Sequence, residues 1–323
     1  MTAHPPPAAA GRSPQLADRL DGLLFFPVTA YAPDGTVAPE AFRAHVRDGI
    51  EAGAAAVFAC CGTGEFHALT PEEFAECVAA AVEEAAGRVP VIAGAGYGTA
   101  LAVRFARLAE EAGADGLLAM PPYLVVAGQQ GLLRHYRELA AATPLPVIVY
   151  QRDNAVFEPA TVVALARTPG IVGLKDGLGD LDLLQRIICA VRTEAPDEEF
   201  LYFNGLPTAE LTGPAYLGLG VHRYSSAVFA FAPEIALAFH RALATGDHDT
   251  VARLLDGFYR PLVELRNQGR GYAVSLVKAG VRLRGADVGE VRPPLSEPSP
   301  AHVERLAALI DHGLVLASAA PGA

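Results

Sequence analysis

The chain has 323 residues, 51% hydrophobic and 19% charged, which supplies a large core and excludes wholesale disorder. A net charge of −11 without any Lys/Arg block excludes nucleic acid and anionic membrane as partners. Four cysteines with no CxxC or zinc-type spacing point to a reduced, cytoplasmic setting rather than a disulfide framework.

Residues 1–20 carry Pro5-Pro6-Pro7 and Ala8-Ala9-Ala10 and are expected to form a disordered tail. They lack the basic and long apolar regions of a signal peptide. No run approaches the ~18 apolar residues of a membrane helix, so a soluble protein is expected.

From Leu23 onward, short apolar runs alternate with helical patterns. Strands are predicted over 23–28, 54–61, 89–95, 116–120, 146–150, 170–177, 200–203 and 222–228. The runs are continuous rather than alternating, as in a parallel sheet covered on both faces. A helix is expected over 39–52. The next opens with Thr70 as N-cap, Pro71 in the first turn and Glu73 closing a capping box. Further helices are predicted near 99–113, 128–142, 158–168, 180–194, 207–218 and 233–245. Eight such units make an α/β chain of the (β/α)8 TIM-barrel type over 21–247. A doubly wound sheet is less consistent with eight units and no nucleotide fingerprint. After residue 248 only helical patterns follow, near 249–267, 270–284 and 299–316. Residues 248–323 are therefore read as a C-terminal helical extension.

Barrel active sites gather at the carboxyl ends of strands. Here those ends carry Thr29, Gly62-Thr63-Gly64-Glu65, Tyr123, Tyr150-Gln151-Arg152, Lys175, Asn204 and Ser225-Ser226. Lys175 stands out because the chain contains 25 Lys plus Arg, of which only Lys175 and Lys278 are lysine. Arginine stays protonated, whereas a desolvated lysine can lose its proton and attack a carbonyl. The strand alone equally allows a buried lysine paired with Asp176. The turn Gly62 to Glu65 offers backbone N–H groups and the Thr63 hydroxyl to a carboxylate, or is an ordinary glycine turn. Tyr150 ends the neighbouring strand, where it either shuttles protons or caps the core. Arg152 either clamps a carboxylate or is a solvated loop residue. Lys278, in a helical pattern, is read as a salt-bridge partner. Gly94 to Gly98 lacks the spacing of a dinucleotide loop and is read as a strand–helix turn. No cluster has metal-ligand spacing, and neither metal nor organic cofactor is expected.

Gly62-Thr63-Gly64-Glu65, Pro121-Pro122-Tyr123, Val149-Tyr150 and Gly173-Leu174-Lys175-Asp176 together resemble the dihydrodipicolinate synthase/N-acetylneuraminate lyase family. The resemblance runs from about Leu23 to about His312. It implies a Schiff-base barrel enzyme acting on a small 2-keto acid, commonly as a tetramer. Lys175 would form the imine, Tyr150 would relay protons, and Gly62, Thr63, Gly64 and Glu65 would hold the substrate carboxylate. Tyr123 matches a tyrosine that crosses a subunit boundary in related synthases. Arg152 and Ser226 are expected toward the distal end of the substrate, and Asn204 among the substrate-binding residues. Gly62 stands where the synthases carry a first threonine, so their full Tyr-Thr-Tyr proton relay is not reproduced. Arg152 lies closer to Tyr150 than their arginine does, so the distal pocket differs. The words Lys175-Asp176-Gly177-Leu178-Gly179-Asp180 and Tyr224-Ser225-Ser226 imply a branch that dehydrates and decarboxylates a keto-deoxy sugar diacid. An aldolase on another 2-keto acid, or a non-catalytic sugar-acid sensor, are the alternatives.

Overall fold

The computed structural model describes residues 16 and 18–319. Eight strands close into a barrel in sequence order: β1 (Leu24–Phe25), β2 (Ala56–Ala59), β3 (Val91–Ala95), β4 (Gly116–Ala119), β5 (Val147–Gln151), β6 (Ile171–Asp176), β7 (Leu201–Asn204) and β8 (Arg223–Ser226). All neighbours are parallel, and β1 closes on β8 through Leu24 opposite Ser225 and Phe25 opposite Ser226. The apolar runs are continuous because both faces of each strand are covered. Leu24, Phe58, Ile92, Leu118 and Ile148 fill the barrel. Phe25, Val57, Leu117, Val149 and Leu174 pack outward against the helices.

The surrounding helices are α1 (Pro39–Glu51), α2 (Pro71–Ala85), α3 (Thr99–Glu111), α4 (Gln129–Ala141), α5 (Pro159–Ala166), α6 (Leu181–Glu194), α7 (Gly213–Gly218) and α8 (Pro233–Thr245). The capping box at Thr70 and Glu73 forms as expected: each side chain bonds the other's backbone N–H, at 3.2 and 3.0 Å. The segment expected as one helix over 207–218 divides into a 3-10 turn, Ala209–Thr212, and the short α7. Pro214 supplies no N–H to continue a preceding helix.

The extension comprises α9 (His248–Leu254), α10 (Arg260–Arg266), α11 (Tyr272–Leu283) and α12 (Pro300–Ser318). The single helix expected over 249–267 is interrupted by a π turn at Leu255–Tyr259, just before Pro261. The last residues of the expected tail are not free: Leu16 and Leu20 are buried with the barrel-filling side chains. Residues 1–15 lie outside the described residues.

One buried ion pair fastens the extension to the barrel. Lys278 on α11 donates to Glu65 at 2.9 Å, and neither side chain is exposed at all. The second Glu65 oxygen accepts from the Arg292 backbone N–H at 2.9 Å. Lys278 and Arg292 also lie against the Tyr31 ring, 3.9 and 4.2 Å from its centroid. The Arg292 guanidinium in turn reaches Glu73 on α2. Removing one member of a buried pair strands the other and costs about 3–5 kcal/mol. Lys278→Met is expected to lower the melting temperature by many degrees. The Lys278→Met/Glu65→Gln double variant should melt higher than Lys278→Met alone, by calorimetry.

Candidate active site

Lys175 reaches the barrel interior through an irregularity in its own strand. Val147 pairs with Ile171, but Ile148 pairs with Gly173, so Val172 is an extra residue. Counting alternation from Ile171, which packs outward, would also turn Lys175 outward. The bulge reverses the parity beyond it, and Lys175 lies opposite Tyr150 on one side and Phe203 on the other. Gly173 is required there, because a Cβ would come within 2.7 Å of the Leu201 carbonyl oxygen.

The Lys175 amine lies 4.0 Å from the centre of the Tyr150 ring and 5.2 Å from that of Phe26. It is 3.5 Å from the Gly205 carbonyl oxygen, to which the Tyr150 hydroxyl donates at 2.8 Å. Arg152 donates to the same hydroxyl at 3.4 Å. Burial pushes the Tyr150 phenol up, but the charges of Lys175 and Arg152 outweigh it and hold the phenol below its ordinary value. Burial pushes the nearby Cys61 thiol up to about 12, opposed only by the Lys175 charge. That thiol is therefore not a thiolate nucleophile at neutral pH.

Asp176, the sequence-level alternative partner for Lys175, does not pair with it. Its carboxylate accepts from the Tyr216 hydroxyl, from Gln151 at 3.1 Å, and from the backbone N–H groups of Leu178 and Gly179 at 3.1 and 3.3 Å. Gln151, Asp176 and Asn204 are in lateral register on β5, β6 and β7, and all three are buried. They form a polar row alongside the Tyr150, Lys175 and Phe203 row.

A pocket of about 150 Å3 opens over the lysine. Gly62, Thr63, Tyr150, Arg152 and Ser225 supply its polar lining, and Phe26, Leu118, Leu206 and Pro207 part of its apolar lining. Ala273 and Val274 of α11 also line it, so the extension forms part of the wall.

The remaining expected residues are placed elsewhere. Glu65 faces Lys278 rather than the pocket. Gly64 is buried, and its carbonyl accepts from the Thr29 hydroxyl at 2.7 Å, which anchors the turn. Ser226 is fully buried and donates to Glu210; its neighbour Ser225 lines the pocket instead. Asn204 donates to Ala209 and Thr212 and accepts from Leu206, bracing the loop after β7. Tyr123 is 64% exposed, its ring 6.1 Å from that of Tyr97. Sequence reasoning missed Leu206, Pro207, Ala273 and Val274, whose types carry no chemical signal. Among the described residues, no cluster of three His, Cys, Asp or Glu is arranged to hold a metal ion.

A buried lysine against a tyrosine at the carboxyl end of a parallel barrel, beside a glycine turn, is the arrangement of a Schiff-base barrel enzyme. The dihydrodipicolinate synthetase family matches residues 19–313, and the chain belongs to that family. It is 75% identical over 313 residues to a Streptomyces coelicolor protein named probable 5-dehydro-4-deoxyglucarate dehydratase 1, covering 96% of this chain and 99% of the relative. A crystal structure of dihydrodipicolinate synthase from Bacillus clausii superimposes with a TM-score of 0.84 at 25% identity, covering 92% of this chain and 98% of that one. YagE of Escherichia coli, a family member solved in complex with pyruvate, gives a TM-score of 0.78 at 25% identity, covering 90% and 98%.

A Cβ on Gly205 would fall 2.7 Å from Lys175 Cγ and 2.9 Å from its Nζ. Gly205→Ala is expected to slow borohydride trapping of pyruvate at least tenfold while the far-ultraviolet circular dichroism stays unchanged. Burial pushes the Glu210 carboxyl up to about 7, while the Ser226 hydroxyl acts the other way. The folded state therefore holds a proton that the unfolded state releases near ~4.3, so stability falls as pH rises from about 4 to 7. Glu210→Gln is expected to remove that decline, worth roughly 3 kcal/mol, and urea denaturation at pH 5 and pH 8 measures it.

Proposed function

We propose that this protein converts 5-dehydro-4-deoxy-D-glucarate to 2,5-dioxopentanoate, water and CO2 through an imine on Lys175. The observation that carries the reading is the Lys175–Tyr150 pair inside the pocket, supported by 75% identity to a relative named for this activity.

Lys175 attacks the C5 ketone, and loss of water gives the imine. Protonated, the imine acidifies the C4–H; removal of that proton forms an enamine, which expels the C3 hydroxyl as water. The resulting conjugated imine accepts the electron pair released when the C1 carboxylate leaves as CO2. Protonation and hydrolysis then free 2,5-dioxopentanoate and regenerate the amine. The covalent imine is the electron sink, and no step calls on a metal or organic cofactor.

Tyr150 is suited to carry protons in imine formation and elimination. Its hydroxyl lies close to the amine, and its phenol is held below the ordinary value. The backbone N–H groups near Gly62 and Thr63, with the Thr63 hydroxyl, would hold the C6 carboxylate beside the imine. Gly64 and Glu65 would act at one remove, by holding that turn in place. Arg152 and Ser225 would face the hydroxylated part of the chain.

A homo-oligomeric, cytoplasmic enzyme is part of this reading. Tyr123, Leu124, Val125 and Val126 form a consecutive exposed apolar run, which fits an interface between copies. Among the described residues, no helix is long and apolar enough to cross a membrane.

Incubation with 5-dehydro-4-deoxyglucarate should release CO2 and 2,5-dioxopentanoate in equal amounts. Borohydride should fix substrate or pyruvate to Lys175, as read by peptide mass. Lys175→Ala should abolish both, and Tyr150→Phe should lower kcat by about 100-fold or more. Cleavage to pyruvate without CO2 would establish an aldolase instead. No adduct on Lys175 would refute the imine.

A further inference from the structure

The proposed substrate is a dicarboxylate, and the turn at Gly62 and Thr63 accounts for one end only. Arg152 is a poor partner for the other end, since it is already engaged by Asp153 at 3.0 Å and by the Tyr150 hydroxyl. A second guanidinium lines an adjoining cleft. Arg266, the last residue of α10, is half-buried. It donates to the Thr208 hydroxyl at 2.7 Å and to the Asn267 side chain at 3.2 and 3.3 Å.

The charge environment of Arg266 differs from that of several other arginines in the extension. Arg260, Arg282, Arg284 and Arg292 each meet a glutamate. Among the described residues, no carboxylate forms an ion pair with Arg266, and burial lowers its pKa with nothing opposing it. A partly desolvated guanidinium without a counter-ion favours an anion of matching geometry. It also adjoins the reaction pocket. The cleft containing Arg266 and Thr208 shares Pro207, Ala227 and Ala273 with the pocket over Lys175. The loop from Gly205 to Thr208 runs from the lysine to the guanidinium.

We propose that Arg266 binds the second carboxylate of the substrate and selects diacids over monoacids. This rests on the imine reading above, which places the first carboxylate at Gly62 and Thr63. The extension would then supply a specificity residue as well as part of the wall. Arg266 binds in the ground state and leaves imine chemistry to Lys175.

The test compares 5-dehydro-4-deoxyglucarate with the analogue bearing a primary alcohol in place of the C1 carboxylate. Binding is read as protection of Lys175 against borohydride trapping of pyruvate. In the wild type the diacid should protect at a concentration at least tenfold lower than the analogue. In Arg266→Gln the two protecting concentrations should converge within about twofold, and Arg266→Lys should recover part of the preference. KM for the diacid should rise at least tenfold in Arg266→Gln, with pyruvate trapping unchanged.

Undiminished discrimination in Arg266→Gln would overturn the proposal, as would a wild type that does not distinguish the two ligands. An equal loss of pyruvate trapping in Arg266→Gln and Arg266→Lys would overturn it too, by showing a merely structural role. Failure of the underlying reading looks different: the wild type itself would form no adduct with pyruvate or diacid and release no CO2.

Discussion

The buried pair between Lys278 and Glu65 is the constraint on which the site's architecture depends. Two charges without any exposure are tolerable only because each has partners: Lys278 has the carboxylate and the Tyr31 ring, and Glu65 has the amine and the Arg292 backbone. The pair joins the turn after β2 to α11 across most of the sequence. It thereby brings Ala273 and Val274 against the pocket and holds Glu65 in a left-handed conformation, φ 55°. A hydrophobic contact in its place would supply similar adhesion but less directional control over the turn that presents Gly62 and Thr63.

Within that frame, two adjacent rows across β5, β6 and β7 divide the work. Tyr150, Lys175 and Phe203 face the pocket, where an amine, a phenol and an apolar ring are desolvated together. Gln151, Asp176 and Asn204 face the other way, and their hydrogen bonds hold the strand ends and the following loops. Asp176 alone gathers donors from Tyr216, Gln151, Leu178 and Gly179. A buried carboxylate satisfied in this way is a brace for the strand carrying Lys175, and among the described residues no carboxylate pairs with the amine.

Much of the architecture was legible in the chain. Continuous apolar runs separated by helical patterns follow from strands covered on both faces, and eight of them define the barrel. Lys175 and Tyr150 were legible because each is a reactive type at a strand end. Glu65, Ser226 and Asn204 occupy equally suggestive positions, yet their side chains serve the scaffold. A strand-end position does not reveal which way a side chain turns once strands twist and bulge. The boundaries also moved where proline intervened, at Pro214 and Pro261, because a missing N–H breaks a helix that composition alone would continue.

The amino-acid sequence by itself determined the barrel and the appended helices and singled out Lys175 as a candidate, since these depend on local periodicity and residue type. Only the tertiary structure decided that Lys175 faces inward, because the extra residue Val172 shifts the register against β5 and reverses the parity of the strand. Only it decided that Glu65 belongs to Lys278 and that, among the described residues, no carboxylate pairs with Arg266. Such pairings join residues far apart in the chain and depend on packing that no local pattern encodes.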